Sequence, residues 1–314
     1  MTQSQVGIVK ELFRYPVKSM LGERLAEVEV GSKGLLGDRA WALREANGRV
    51  VSAKKWANML GFSATYEGAP KPEQLAPVKI TLPDGSSVYA DNASASDAIS
   101  SYLGRPVKLE RALPDEHSRA EIDPATVFGD VGVANVNPQF TEATLPDSFG
   151  LPHGTFFDSA MIHVLATGSL EHMRALIGPD AQLDPRRFRP NIVVETDPRV
   201  TGFVEDEWLS GTLQAGAAVK IVSLRSALRC VMTTHKQGEL VRDLRILRAT
   251  AQHHSAQLGV FASIGAPGRV RVGDPVGSYV EAQSIVGHVQ VLAENGTHST
   301  LQSVSSSAPG CGRG

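Results

Sequence analysis

The chain has 314 residues, of which 42% are hydrophobic, and a formal net charge of −2. That is enough for one large or two medium domains with real cores, and a balance so near neutral argues against nucleic acid as the main partner. Aromatic residues make up 6% of the chain, which weakens a base-stacking role as well. Met1 to Lys10 is polar and lacks the apolar core of a secretory signal. No run approaches the roughly 18 apolar residues that a membrane-spanning helix needs, so the expectation is a cytoplasmic protein with no membrane partner.

From the N-terminus onward, short runs with β-branched residues recur between glycines and prolines: Val6–Phe13, Leu25–Val30, Val50–Ala53 and Val78–Leu82, then Asn191–Glu195, Ala218–Val222 and Arg269–Val272. Many short strands at such spacing predict a β-rich, barrel-like architecture. Pro83-Asp84-Gly85 predicts a hairpin turn, because proline presets φ and glycine accepts a positive one. Helices are fewer. Asp97–Leu103 is short, with Ser94 or Ser96 as candidate cap. Ser169–Ile177 places Leu170, Met173 and Leu176 on one face and stops at Gly178-Pro179. Asp243–Gln257 carries Leu244, Leu247, Ala251 and His254 in a helical stripe. Pro114 to Gly154 reads as a connection between two halves, and His298 to Gly314 as a disordered tail.

The two cysteines are Cys230, in Leu228-Arg229-Cys230-Val231-Met232-Thr233-Thr234, and Cys311, in the Gly-rich tail. Cys230 therefore has no structural disulfide partner to expect. Arg229 beside it favours the thiolate, the form that binds metals or attacks electrophiles. Read alone, a cysteine between Leu228 and Val231 is more often a small buried hydrophobe, and the residues it accompanies elsewhere shift that reading. The sequence has no nucleotide-binding glycine motif, no zinc spacing of His or Cys and no G-x-S-x-G elbow. Redox chemistry here would draw its electrons from a separate partner.

The accompanying segments are Tyr15-Pro16-Val17-Lys18-Ser19, Gly37-Asp38-Arg39-Ala40-Trp41, Phe157-Asp158-Ser159 and Arg187-Phe188-Arg189-Pro190-Asn191. Each alone reads as surface charge, turn or strand start. Together with Cys230 and Val270-Arg271-Val272-Gly273-Asp274-Pro275-Val276, in this order, they closely resemble the MOSC family, named after the C-terminal part of molybdenum cofactor sulfurases. The match is to the two-part arrangement of the mitochondrial amidoxime-reducing component and its bacterial relatives, and it runs from about Val6 to about Val280. The resemblance implies an α+β, β-rich fold with two packed barrel-like parts. These would be an N-terminal MOSC-type β-barrel domain over residues 1–110 and a MOSC β-barrel domain with its connecting loop over 111–282, followed by a tail over 283–314. Such barrels also carry a pyridoxal-phosphate-binding-like superfamily label.

The same resemblance implies a molybdenum cofactor (Mo-molybdopterin) whose metal is bound by the Cys230 thiolate, a soft ligand suited to a metal already held by dithiolene sulfur. It assigns Lys18, Ser19 and Arg39 to the cofactor's phosphate and pterin, and Asp158 and Ser159 to its polar edge. Arg189 and Asn191 would lie close to the pterin or phosphate, and Arg229 would contact the cofactor or tune the thiolate. Cations and fork-shaped donors are what a phosphorylated polar cofactor needs. The implied activity is reduction of small N-oxygenated (N-hydroxylated) compounds, with electrons from an external ferredoxin or flavin reductase. The residues leave two alternatives open: sulfur transfer through a persulfide on Cys230, and carriage of the cofactor without turnover. One departure stands out. Amidoxime-reducing proteins commonly continue Thr-Thr-Val-Asp-Pro after the cysteine, whereas here Thr233-Thr234 is followed by His235-Lys236-Gln237-Gly238. His235 is thereby a candidate catalytic proton donor, or a partly exposed loop residue.

Overall fold

A computed structural model of the chain describes residues 3–71, 74–117, 124–129 and 151–279. The chain starts with a long strand, β1 (Gln3–Arg14), followed by β2 (Glu23–Leu25), β3 (Glu27–Gly31), β4 (Gly34–Leu35), β5 (Trp41–Arg44), β6 (Ser63–Tyr66), β7 (Val78–Thr81) and β8 (Ser87–Tyr89). Helix α1 (Ala95–Leu103), strand β9 (Lys108–Arg111) and the short α2 (Pro124–Phe128) come next. Then follow β10 (Ile162–Ala166), α3 (Thr167–Ile177), β11 (Ile192–Glu195), β12 (Thr212–Ala215), β13 (Val219–Leu228), α4 (Arg245–His254), β14 (Gln257–Ala266), β15 (Gly268–Arg271) and β16 (Pro275–Tyr279).

Seven strands close into a barrel, in the order β1-β11-β10-β14-β13-β12-β16 and back to β1. Closure removes the free edges that an open sheet would expose. The closing stave is β1, which pairs antiparallel with β11 on one side and with β16 on the other. Both registers slip along β1, between Gln5 and Gly7 and between Val9 and Glu11, so the strand bends as it passes from one neighbour to the next. Gly7 allows the bend: a Cβ there would lie 2.2 Å from the Glu195 carbonyl oxygen. Inward-facing Val9, Leu12, Val164, Val194, Ile221 and Val260 fill the barrel, with Trp208 as its largest buried side chain. This β-rich α+β architecture agrees with the sequence-based expectation.

The second part surrounds its own core of Val17, Met20, Leu43, Phe62, Ile80 and Ile99 with small sheets, β6-β7-β8 and β5-β9. Strand β15 pairs with β3 through Val270 opposite Val28, and both residues pack on the barrel core. Met232 and Cys230, from the segment after β13, pack against the second core, and Cys230 also touches the cluster around Phe128 and Leu247. The Cys230 loop therefore lies on the seam between the barrel and the smaller sheets. Among the described residues, no helix is long and apolar enough to cross a membrane.

Local expectations fared unevenly. The Pro83-Asp84-Gly85 turn joins β7 to β8, with the Gly85 N–H donating to Leu82 O at 2.9 Å. Val50–Ala53 is not a strand: Val50 makes an isolated bridge to Arg44, and the chain then turns at Ser52. Ser94 precedes α1 but makes no capping bond, because its hydroxyl donates to Asn92 Oδ1, while Ser96 Oγ accepts from the Leu109 N–H. Leu170 and Met173 of α3 are buried as expected, whereas Leu176 is exposed. Helix α4 stops at His254, since Ser255 and Ala256 take left-handed φ values and Gln257 already belongs to β14. The tail and most of the expected connection lie outside the described residues.

Candidate functional site

Two of the sequence segments are laced together by their backbones. The Lys18 N–H donates to Trp41 O at 2.8 Å, the Trp41 N–H to Pro16 O at 3.1 Å and the Arg39 N–H to Tyr15 O at 2.8 Å. Arg39 O in turn accepts the Phe156 N–H at 2.9 Å, which brings Phe157-Asp158-Ser159 alongside. Ser19, Arg39 and Arg189 all adopt left-handed backbone, with φ of 66°, 48° and 56°. Such a conformation costs a non-glycine residue about 1 kcal/mol or more and concentrates at functional sites.

The charged side chains follow from this lacing. Lys18 is buried and its Nζ donates to Asp158 Oδ1 at 2.5 Å and to Phe156 O at 2.9 Å. Lys54 approaches the other Asp158 oxygen at 3.9 Å. Burial pulls Lys18 down and by itself would raise Asp158. The charges of Lys18 and Lys54 and the Lys18 hydrogen bond outweigh that and hold Asp158 well below the usual carboxylate range. Asp158 is therefore ionised at neutral pH.

Asp38 organises the other side. Its Oδ1 accepts the Tyr15 N–H at 2.8 Å, and its Oδ2 accepts from Asn191 Nδ2 at 2.9 Å and from Arg39 Nη1. Asn191 completes its own set by donating to Phe13 O at 3.3 Å and accepting the His163 N–H at 3.1 Å. All its amide atoms are thus engaged within the protein. The guanidinium groups of Arg39 and Arg189 lie over the Tyr15 ring, 4.4 and 4.1 Å from its centroid. Arg189 Nη1 also donates to Met20 O at 2.6 Å. Burial, and then the charge of Arg39, pulls Arg189 down to about 10. Burial pushes Tyr15 up to about 12 against the opposing pull of both arginines.

Cys230 is partly exposed and begins the 3₁₀ turn Val231–Thr234, its carbonyl accepting both the N–H and the hydroxyl of Thr233 at 3.1 and 3.0 Å. Arg187, fully buried, grips this loop: Nη1 reaches Thr233 O and His235 O at 3.4 and 3.1 Å, Nη2 reaches Val241 O at 2.6 Å, and Nε reaches Gln182 O at 2.8 Å. Arg229 is buried too, with Nη2 donating to Phe188 O at 2.6 Å and Nη1 lying 3.3 Å from His163 Nε2. Burial brings Arg229 down to about 10. Arg229 Nε has no hydrogen-bond partner among the described residues.

The structure thus brings Arg39 and Arg189 over Tyr15, sets the Lys18–Asp158 pair near those arginines, and places Arg229 and Cys230 on the adjoining seam. Ser19 is buried in the same turn as Lys18, while Ser159 joins through its carbonyl, which accepts Arg225 Nη2 at 3.0 Å. His235 is half-buried, its N–H donating to Met232 O at 3.3 Å. Sequence reasoning assigned no role to Asp38, Lys54, His163 or Arg187. Asp38 sat unassigned inside a quoted motif, and Lys54 followed an expected strand that does not form. His163 is one histidine in the apolar run of β10, and Arg187 preceded the arginine that drew attention. A groove of about 430 Å³ runs beside Tyr15, walled by Phe13, Leu21, Gln237 and Leu240, a size that admits a small molecule.

The donor set fits a phosphorylated, sulfur-bearing metal cofactor. Four cations, buried Lys18 and Arg229 and half-buried Arg39 and Arg189, are set against Asp38 and Asp158, a buried guanidinium keeps an unpaired N–H, and a partly exposed thiol stands next to it. Among the described residues no three His, Cys, Asp or Glu side chains group closely enough to hold a metal ion. A metal here would take Cys230 from the protein and its other ligands from the cofactor.

Residues 152–277 match the MOSC domain, and residues 6–108 match the MOSC N-terminal beta barrel domain. Among curated proteins, the chain is 26% identical over 296 residues to the mitochondrial amidoxime reducing component 2 of Macaca fascicularis, covering 87% of this chain and 83% of that one. It is 25% identical over 295 residues to the human component 2, with the same coverage. The human mitochondrial amidoxime-reducing component 1 is 24% identical over 307 residues, again covering 87% of this chain and 83% of its own length. With both domains matched in order around a seam that carries Cys230, the chain belongs to the MOSC family, in the form with an N-terminal MOSC barrel domain ahead of the MOSC domain.

Proposed function

We propose that this protein is a molybdenum-cofactor-dependent oxidoreductase that reduces small N-oxygenated compounds with electrons from an external ferredoxin or flavin reductase. The observation that carries this reading is the partly exposed Cys230 thiol beside buried Arg229, next to buried Lys18 and half-buried Arg39 and Arg189, with only Asp38 and Asp158 to neutralise them. The relatives' printed name, amidoxime-reducing component, supports the substrate class. The cofactor, when bound, would supply the two-electron chemistry that cleaves an N–O bond.

In this reading the chain's own residues bind and orient. Cys230 is the protein's ligand to the metal, held in place by the Arg187 grip on the turn that follows. Lys18, Arg39 and Arg189 neutralise the cofactor's phosphate and hold its pterin, with Ser19, Asp158, Ser159 and Asn191 shaping the same surface. Arg229 keeps positive charge beside the thiolate. His235, half-buried on the loop after the ligand, serves as the proton donor to the departing oxygen.

The test is turnover. Protein purified from a host that makes the cofactor is given an aryl amidoxime and a hydroxylamine, with a reduced ferredoxin or a flavin reductase as donor. Amine or amidine product, lost in Cys230→Ala, supports the reading. Protein that holds cofactor but turns over neither substrate with either donor contradicts it in favour of a carrier. A persulfide on Cys230 in metal-free protein would favour sulfur transfer instead.

A further inference from the structure

The contact between Arg229 and His163 constrains where the imidazole proton can sit. Arg229 Nη1 lies 3.3 Å from His163 Nε2, and a guanidinium can only donate. The ring nitrogen facing it must therefore accept, although Leu258 O, a second acceptor, lies 3.4 Å from the same atom. The ring proton then resides on Nδ1, which is buried, and the Arg189 backbone is the acceptor available to the ring within the chain. Arg229 Nε is buried and has no partner among the described residues. A buried N–H without an acceptor is destabilising, and the one on Arg229 points to an acceptor supplied from outside the chain.

The fold is shaped to hold this arrangement. His163 lies on β10, with its N–H bonded to Asn191 Oδ1 and its ring edge-on to Phe261 at 5.4 Å. Gly259 on β14 makes room for the ring: its φ is +82°, and a Cβ there would lie 2.3 Å from His163 Nε2. Arg229 is fixed from the other side by Phe188 O and by its own N–H, which donates to Ala256 O at 2.6 Å. Ala256 itself adopts a left-handed backbone, with φ of 58°.

We propose that His163 is a positioning residue of the cofactor site: as a neutral ring protonated on Nδ1 it accepts the Arg229 Nη1–H, holds that guanidinium beside Cys230, and leaves the Arg229 Nε–H to an oxygen acceptor of the bound cofactor. The cofactor half of this inference rests on the function proposed above, and the proton arrangement does not. A side chain one layer behind a metal ligand typically changes metal affinity on the order of 10-fold or more when removed.

Two measurements test it. In protein labelled with ¹⁵N at its histidine rings, a long-range ¹⁵N–¹H spectrum reports the tautomer of each ring, with Gly259→Ala and His163→Gln assigning the His163 signals. An Nδ1–H, Nε2-unprotonated ring is expected, and an Nε2–H tautomer or a charged ring overturns the arrangement. The second measurement follows molybdenum retained per chain during dialysis, with the Mo(V) electron paramagnetic resonance signal alongside. His163→Leu is expected to lose metal on the order of 10-fold faster than wild type and to shift that signal. His163→Gln, whose amide oxygen can still accept from Arg229, is expected to restore both. Wild-type retention and signal in folded His163→Leu would overturn the positioning role. A wild type that contains no molybdenum would overturn the cofactor reading and its dependent half here, while the tautomer still decides the Arg229 contact.

Discussion

The Lys18 ammonium sits 2.5 Å from Asp158 Oδ1, joining the first laced segment of the chain to a loop 140 residues away. One partner is almost wholly buried and the other about a third exposed, with side-chain exposures of 5% and 32%. Removing the carboxylate leaves a buried cation without its counter-charge. Asp158→Asn is expected to lower the unfolding free energy by about 2 kcal/mol, below the full value for a buried pair because water screens the exposed partner. Urea unfolding at pH 7 measures it.

The same pair has a defined acid limit. Asp158 is held well below its unfolded value, so its contribution is complete above that unfolded value and is lost progressively as pH falls from there to the lower folded value. The stability difference between wild type and Asp158→Asn should therefore stay constant from pH 7 to about pH 4.5 and shrink below about pH 4. A difference already shrinking between pH 6 and 5 would contradict the assignment.

His163 acts in the opposite region of the pH scale. Burial first, and then the charge of Arg229, keeps its ring neutral well below the ordinary histidine value. As pH falls below about 6.5 the unfolded chain takes up a proton that the folded chain refuses. Stability should then fall by up to about 1.4 kcal/mol per pH unit, beyond any loss shared with His163→Gln. Parallel denaturation curves for the two proteins between pH 8 and 5 make the comparison.

Arg187 bonds four carbonyl oxygens, two of them in the loop that follows Cys230. Arg187→Met leaves those acceptors unpaired in the interior and should cost about 3 kcal/mol. The loosened turn should also let a thiol reagent modify Cys230 several-fold faster under native conditions. Alkylation followed by mass spectrometry reads that rate, and an unchanged rate would remove Arg187 from the support of the ligand.

Gly7 tests the barrel rather than the site. Gly7→Ala puts a Cβ 2.2 Å from Glu195 O, so β1 must move away from β11. A loss of about 2–3 kcal/mol is expected, as for other overpacked positions.

What the sequence made legible was local chemistry and motif order. The Pro83-Asp84-Gly85 turn depends on its own residues, so it could be read directly. The segments around Lys18, Arg39, Arg189 and Cys230 could be named as a set, and the structure brings them to one seam. Interactions whose partners lie far along the chain could not be read. Nothing near Val50 announced that Lys54 would turn toward Asp158 rather than continue a strand. Ser94 had the right chemistry for a helix cap, but Asn92 competes for its hydroxyl. His163 looked like any histidine in an apolar run, because its importance depends on Arg229, 66 residues later, and on the space left by Gly259.

The most direct test of the central claim is molybdenum and released pterin per chain, measured on protein from a cofactor-producing host beside Cys230→Ala. Close to one molybdenum and one pterin per wild-type chain, with the metal lost or labile in Cys230→Ala, is the expected result. Wild-type protein free of both, or Cys230→Ala retaining full molybdenum, would contradict Cys230 as the ligand of a cofactor held on this seam.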